Sequence, residues 1–150
     1  MNPKRLLIAV DASANSERAV AYVGDILCHA REAEILLLCL SKMPDRDLFP
    51  DDAAWQANAQ KQDSDYRDFL ARARRSLEQR GVDSGCIETR LVPFKGFSVA
   101  QGILNEQRNG GYGTIVVGRR GMSKEEEFLF GSVSSRVVHH ARNCAVWVVE

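Results

Sequence analysis

No stretch of this chain stays apolar for the roughly 20 residues needed to cross a membrane. After Met1-Asn2-Pro3-Lys4-Arg5 only Leu6 to Val10 is apolar before Asp11. That run is too short for a signal-peptide core and has the length of a strand. Neither sign of charge prevails: 20 Lys and Arg meet 20 Asp and Glu, for a formal net charge of zero. A non-specific nucleic-acid binder needs a basic surplus to displace counterions, so that class is set aside, and no membrane partner is expected. There is no CxxC pair. Cys28, Cys39, Cys86 and Cys144 lie scattered among apolar or helical patterns, which argues against a disulfide framework or a metal cluster. Buried free thiols in a reducing cytoplasm are the expectation. Repeats, linkers and low-complexity segments are also lacking.

What remains is ordinary globular material. A length of 150 residues, 45% hydrophobic and 27% charged, suits one domain over 1–150 with a real core. Five short runs read as strands: Leu6 to Val10, Glu34 to Leu40, Cys86 to Val92, Thr114 to Val117 and Ala145 to Val149. Three are apolar throughout, as strands buried on both faces are. Helical periods lie between them. Ala19, Val20, Val23, Ile26, Leu27 and Ala30 share one face after Ser16-Glu17. Trp55, Ala59, Tyr66, Phe69, Leu70, Ala73 and Leu77 share another, ending before Gly81. Ser98 with Gln101 reads as a capping box opening a third helix through Val99, Ile103 and Leu104. Ser132 opens a fourth, with Val133, Val137 and Val138 inward. Strands alternating with helices predict an α/β fold, a three-layer α/β/α sandwich around a parallel sheet. Met43 to Asp52, with Pro44, Pro50 and several aspartates, is expected to be irregular and to follow the second strand. Ligands of such folds bind at the carboxyl edge of the sheet, where the strand order reverses.

Glycine is concentrated at one such edge. Gly118 ends a strand, Gly121 follows, and Gly131-Ser132 begins a helix. A helix start offers unpaired N–H groups and partial positive charge, and glycine lets backbone approach an anion closely. A phosphate cradle at Gly118, Gly121 and Gly131, with Ser132 and Ser134 adding hydroxyls, is one reading. Simple turn glycines and a capping serine are the other.

The spacing Gly118-x2-Gly121-x9-Gly131-Ser132 resembles the ATP-binding pattern of the universal stress protein family. Ile8-Ala9-Val10-Asp11-Ala12-Ser13 resembles its first strand with the aspartate, and Tyr112 to Gly121 its fourth. The resemblance covers essentially the whole chain. It implies a flavodoxin- or Rossmann-like strand order 3-2-1-4-5 and binding of ATP, with Mg or Mn as an optional companion. Asp11 would bond the nucleoside, with Ala12 and Ser13 lining the pocket. Leu40 and Val117 would contact adenine. Gly118, Gly121, Gly131 and Ser132 would hold ribose and phosphates, with Val133 and Ser134 nearby. Asp11 has a second reading, as a helix cap within Asp11 to Ser16. Glu125-Glu126-Glu127 would repel a triphosphate unless they face solvent or hold a divalent cation; facing solvent is the expectation.

Other patterns carry less. Gly113 to Arg120 has the length of a Walker loop, but its middle is a strand and Arg120 replaces the required hydroxyl. Arg119 and Arg120 either neutralise phosphate or lie solvated in the loop. His139 and His140 point about 100° apart and suit the negative end of a helix better than a metal. The uncharged last strand, with Trp147, would lie at a sheet edge, which predicts pairing with its twin in a homodimer. The reading is an ATP-dependent regulatory or stress-response module with little catalysis, since no general base or P-loop lysine is evident. A slow ATPase or phosphotransfer enzyme using Ser132 or Ser134, and a nucleotide-free dimerisation module, are the alternatives.

Overall fold

A computed structural model of the chain describes residues 2–28, 30, 32–94, 98–119 and 132–150. Among the described residues five strands and four α-helices alternate: β1 (Asn2–Val10), α1 (Ala14–Leu27), β2 (Glu34–Lys42), α2 (Asp52–Gln79), β3 (Ile87–Phe94), α3 (Val99–Gly110), β4 (Tyr112–Gly118), α4 (Ser132–His140) and β5 (Ala145–Val149). All strands run parallel in the order β3-β2-β1-β4-β5, the predicted 3-2-1-4-5.

The three inner strands explain their own composition. Leu6 to Ile8, Ile35 to Cys39 and Thr114 to Val117 are buried on both faces, because helices cover each side. Leu6, Ile8, Val10, Ile35, Leu37, Cys39 and Val116 face α1 and α2, where Val20, Val23, Phe69 and Leu77 meet them. Leu7, Leu36, Leu38, Ile115 and Val117 face α3 and α4, against Ile103, Leu104 and Val137. The alternation is the period of two expected of a pleated strand. No helix among the described residues is long and apolar enough to cross a membrane.

Several boundaries and faces differ from expectation. β1 starts at Asn2, since its polar flank pairs too: Arg5 sits opposite Glu34 and bonds it at 2.7 Å. α1 begins at Ala14, ahead of Ser16-Glu17, because the Ser13 side chain caps it by accepting from the Ser16 N–H at 3.2 Å. Ile26 and Val138 are each 48% exposed, and Ala30 lies beyond α1. Their helices are too narrowly seated on the sheet to bury such flanking positions. Only Cys39 of the four thiols is buried. Ser98 caps α3, but the Gln101 side chain bonds Asn105 at 2.9 Å instead of closing a capping box. Between β2 and α2 a short 3-10 turn spans Arg46–Leu48, and the Trp55 indole N–H, bonded to the Pro44 carbonyl at 2.9 Å, ties this connection to α2.

Candidate functional site

β1 is the strand from which the chain departs in both directions across the sheet, so its carboxyl end is the switch point. Val10 pairs with Cys39 and Ala9 with Val117. Continuing that register sets Asp11 level with Leu40 on one side and Arg119 on the other. Gly118 is held against α1: a Cβ there would lie 2.9 Å from the Asn15 Cβ and 3.1 Å from its carbonyl carbon. The first turn of α1 therefore seats directly on the end of β4.

The turn from β1 into α1 is closed by its own side chains. Ala12 has φ +63°, the left-handed region that costs a non-glycine residue about 1 kcal/mol. The Asp11 carboxylate accepts from the Ser13 N–H at 3.2 Å and from the Ser16 hydroxyl at 2.7 Å through the same oxygen. Ser13, not Asp11, is the helix cap; Asp11 buttresses it.

On the opposite side of the sheet, Leu40 and Val133 pack against the cluster that contains Val117. Val117 is buried, whereas Leu40 is half-buried. A Cβ on Gly102 of α3 would approach the Leu40 Cδ1 to 2.6 Å, so α3 holds that side chain in place. Ser132 is exposed at the start of α4. Ser134 is buried, and its hydroxyl donates to the Arg119 carbonyl at 2.9 Å, tying α4 to the end of β4. The Arg119 N–H donates to the Val149 carbonyl at 2.7 Å, and its guanidinium pairs with Glu150 at 2.6 Å.

Asp11, Ala12, Ser13, Leu40, Val117, Gly118, Ser132, Val133 and Ser134 thus border one end of the sheet, split between its two faces. Gly121, Gly131, Arg120 and Glu125 to Glu127 lie outside the described residues, as does His29. His139 and His140 each bond a carbonyl one turn back, Ser135 and Arg136, through Nδ1 at 2.8 Å. Among the described residues no group of three or more His, Cys, Asp or Glu is placed to hold a metal.

Sequence reasoning missed the polar layer beneath the edge. Ser41, buried at the end of β2, donates to Asp63 of α2 at 3.1 Å. Burial pushes the neighbouring Cys39 thiol up to about 12, with the charges of Asp11 and Asp63 adding to the effect. Burial likewise raises Tyr66, against a smaller opposing effect from its Gln62 hydrogen bond. The Ser13-x-x-Ser16 spacing is a local signal that could have found Ser16; no local signal links Ser41 to a residue 22 positions away. Clefts among the described residues also lie elsewhere. One of about 420 Å³ runs between α1 and α2 beside Phe69 and Arg72. One of about 500 Å³ lies beyond β2 beside Lys42 and Lys61. Neither is lined by the residues that border the carboxyl edge of the sheet, although Gln62 lines the second.

The model of the universal stress protein family matches residues 2–150. Among solved structures, the universal stress protein UspA from Lactobacillus plantarum is 17% identical, with TM-score 0.81 and full coverage of both chains. A universal stress protein in complex with cAMP is 21% identical, with TM-score 0.71, covering 97% of this chain and 96% of that one. The universal stress protein from Archaeoglobus fulgidus in complex with dAMP is 18% identical, with TM-score 0.66, covering 100% and 98%. At these identities they establish a shared fold. Nothing among the curated proteins matches the chain.

Proposed function

Because the chain belongs to the universal stress protein family, we propose that it binds ATP at the carboxyl edge of its sheet and works as a nucleotide-dependent regulatory or stress-response module in the cytoplasm. The observation that carries this reading is the meeting of three features at one switch point. The Asp11 carboxylate is fixed at the end of β1, Gly118 ends β4, and α4 starts at Ser132. Asp11 suits a ribose hydroxyl or an adenine amine, which a carboxylate can accept from. Leu40, with Val117 beneath it, offers an apolar seat for a base. Ser132 at the helix start, with Gly118, Gly121 and Gly131, is assigned to the ribose and phosphates; Ala12, Ser13, Val133 and Ser134 line the rest. The relatives' complexes with cAMP and dAMP support an adenine nucleotide as the ligand class.

The residues fit the nucleoside portion. ATP, with Mg or Mn where a cation accompanies it, would bring the charge that partners read through a shifted conformational equilibrium. Little catalysis is expected. The buried Ser134 hydroxyl already donates to Arg119, which disfavours Ser134 as a phosphate acceptor.

β5 lies at a sheet edge, and its Trp147 meets Tyr22 edge-on at 6.4 Å. An uncharged edge strand is the proposed seam of a homodimer. A monomeric mass across a wide concentration range would exclude it.

The test of ATP binding is a thermal melt with and without Mg-ATP, beside a Gly121→Val/Gly131→Val double variant. A ligand held only by the folded state at 100 times its Kd adds about 2.7 kcal/mol. For a chain of this size that is a rise of about 5–10 °C, expected for the wild type and not for the double variant. No rise for either folded protein would overturn the reading in favour of a nucleotide-free module.

A further inference from the structure

We infer that Ser16 is a positioning residue for the nucleotide site, acting through Asp11; this rests on the proposed contact between Asp11 and the nucleoside. Ser16 is 3% exposed, so bulk water does not serve its hydroxyl. That hydroxyl has one proton to give and spends it on the Asp11 carboxylate, at 2.7 Å. It accepts in return from the Asp11 N–H at 3.1 Å. One side chain thus grips both the backbone and the carboxylate of the same residue.

Helix capping alone does not require this arrangement. The cap of α1 rests on backbone donors, with the Ser13 hydroxyl accepting from the Ser16 backbone N–H and the Ser13 N–H taken by Asp11, while the Ser16 hydroxyl meets the cap as acceptor from the Ser13 hydroxyl at a long 3.4 Å. In a capping box the third helical residue would reach back to the N–H of the cap. Here Ser16, at that position, reaches two residues further, to Asp11. The bonds therefore fix the rotamer of Asp11 across a turn whose Ala12 stands at φ +63°. A binding carboxylate works best when its rotamer is locked before the ligand arrives, because the ordering cost is then already met.

Binding of ATP by titration calorimetry tests this, with Ser16→Ala, Asp11→Ala and the double variant, each checked by melting. Ser16→Ala is expected to weaken ATP by about tenfold, the scale of one hydrogen bond to a charged group. In the Asp11→Ala background it should change the affinity less than about twofold, since nothing remains to position. The near-isosteric pair Ser16→Thr and Ser16→Val separates hydroxyl from shape: Thr should retain the affinity and Val should lose it. This pair decides the matter if Ser16→Ala is poorly folded.

Absence of ATP binding by the wild type, or an unchanged affinity in Asp11→Ala, would overturn the reading of the site and the role of Ser16 with it. A loss at Asp11→Ala with none at Ser16→Ala would overturn the role of Ser16 alone. So would an equal loss from Ser16→Ala in both backgrounds, the mark of a structural role.

Discussion

Replacing Gly118 by alanine separates the two readings of that glycine. The new Cβ would stand 2.9 Å from the Asn15 Cβ, 3.1 Å from its carbonyl carbon and 3.2 Å from its carbonyl oxygen. Carbon atoms pack at about 3.5–4.0 Å, so α1 must withdraw from β4 by about half an ångström. The obstacle is the Cβ and backbone carbonyl of a helix residue rather than the end of a flexible side chain. Overpacking of this kind costs about 1–3 kcal/mol, and the lower unfolded-state entropy of alanine returns about 0.5–1 kcal/mol. A net loss of about 0.5–2 kcal/mol corresponds to a fall in Tm of about 1–8 °C at this chain length. The assay is thermal unfolding without nucleotide. Gly85→Ala is the control, because its Cβ would meet only the Asp83 carboxylate at an ordinary 3.6 Å; it should melt within about 2 °C of the wild type. A Gly118→Ala protein as stable as the wild type would refute the steric argument. If that protein also failed to bind ATP, the need for glycine would lie with the ligand instead.

The buried Cys39 thiol should make the fold sensitive to alkali. Its proton is held from an ordinary value of 9.0 up to about 12 in the folded protein, so above pH 9 the unfolded chain binds fewer protons. Stability should then fall as pH rises, by up to about 1.4 kcal/mol per unit in that window. Denaturant melts at pH 8 to 10.5 should show a shallower decline for Cys39→Ala, and an equal slope would contradict the assignment. At the cap of α3, Ser98→Ala should cost about 1 kcal/mol, read as a lower midpoint in urea. Gln101→Ala should cost clearly less, since the Gln101 side chain bonds Asn105 and leaves the cap to Ser98; equal losses would restore the reciprocal box.

The sheet was legible because its inner strands are covered on both sides. Leu36, Leu37 and Leu38 can stand in sequence only where each face has a helix to meet them. Periodicity placed the deep positions, such as Val20, Phe69 and Ile103, and failed at the margins. Ile26 and Val138 continue the apolar pattern past the width of the contact, and nothing local marks where the neighbouring layer stops. The start of α1 was blurred by a crowd of capping residues. Ser13 prevails over Ser16 because its hydroxyl receives the Ser16 N–H, while Ser16 is drawn back to Asp11. Asp11 itself stood out as a carboxylate closing an apolar run. The bond from Ser41 to Asp63 could not be read, since two segments that are unremarkable alone meet only after the β2–α2 crossover has folded.

These bonds divide the proposed site into parts with different physical character. The nucleoside side is built on β1, β2 and the first turn of α1, where Asp11 is held by two donors and Leu40 is backed by α3. The phosphate side hangs on Gly118 and Ser132, joined by the contact from Ser134 to Arg119. Selectivity among bases should therefore reside in the first part, whose side chains are fixed before any ligand arrives. Sensitivity to the number of phosphates should reside in the second. Arg119 links that second part outward, since its N–H extends the β4–β5 ladder to Val149 while its carbonyl receives Ser134. A displacement of α4 by a bound phosphate would pull on the same residue that anchors the edge strand. Nucleotide occupancy and pairing at β5 would then share one mechanical element, the kind of two-sited coupling that a regulatory module requires.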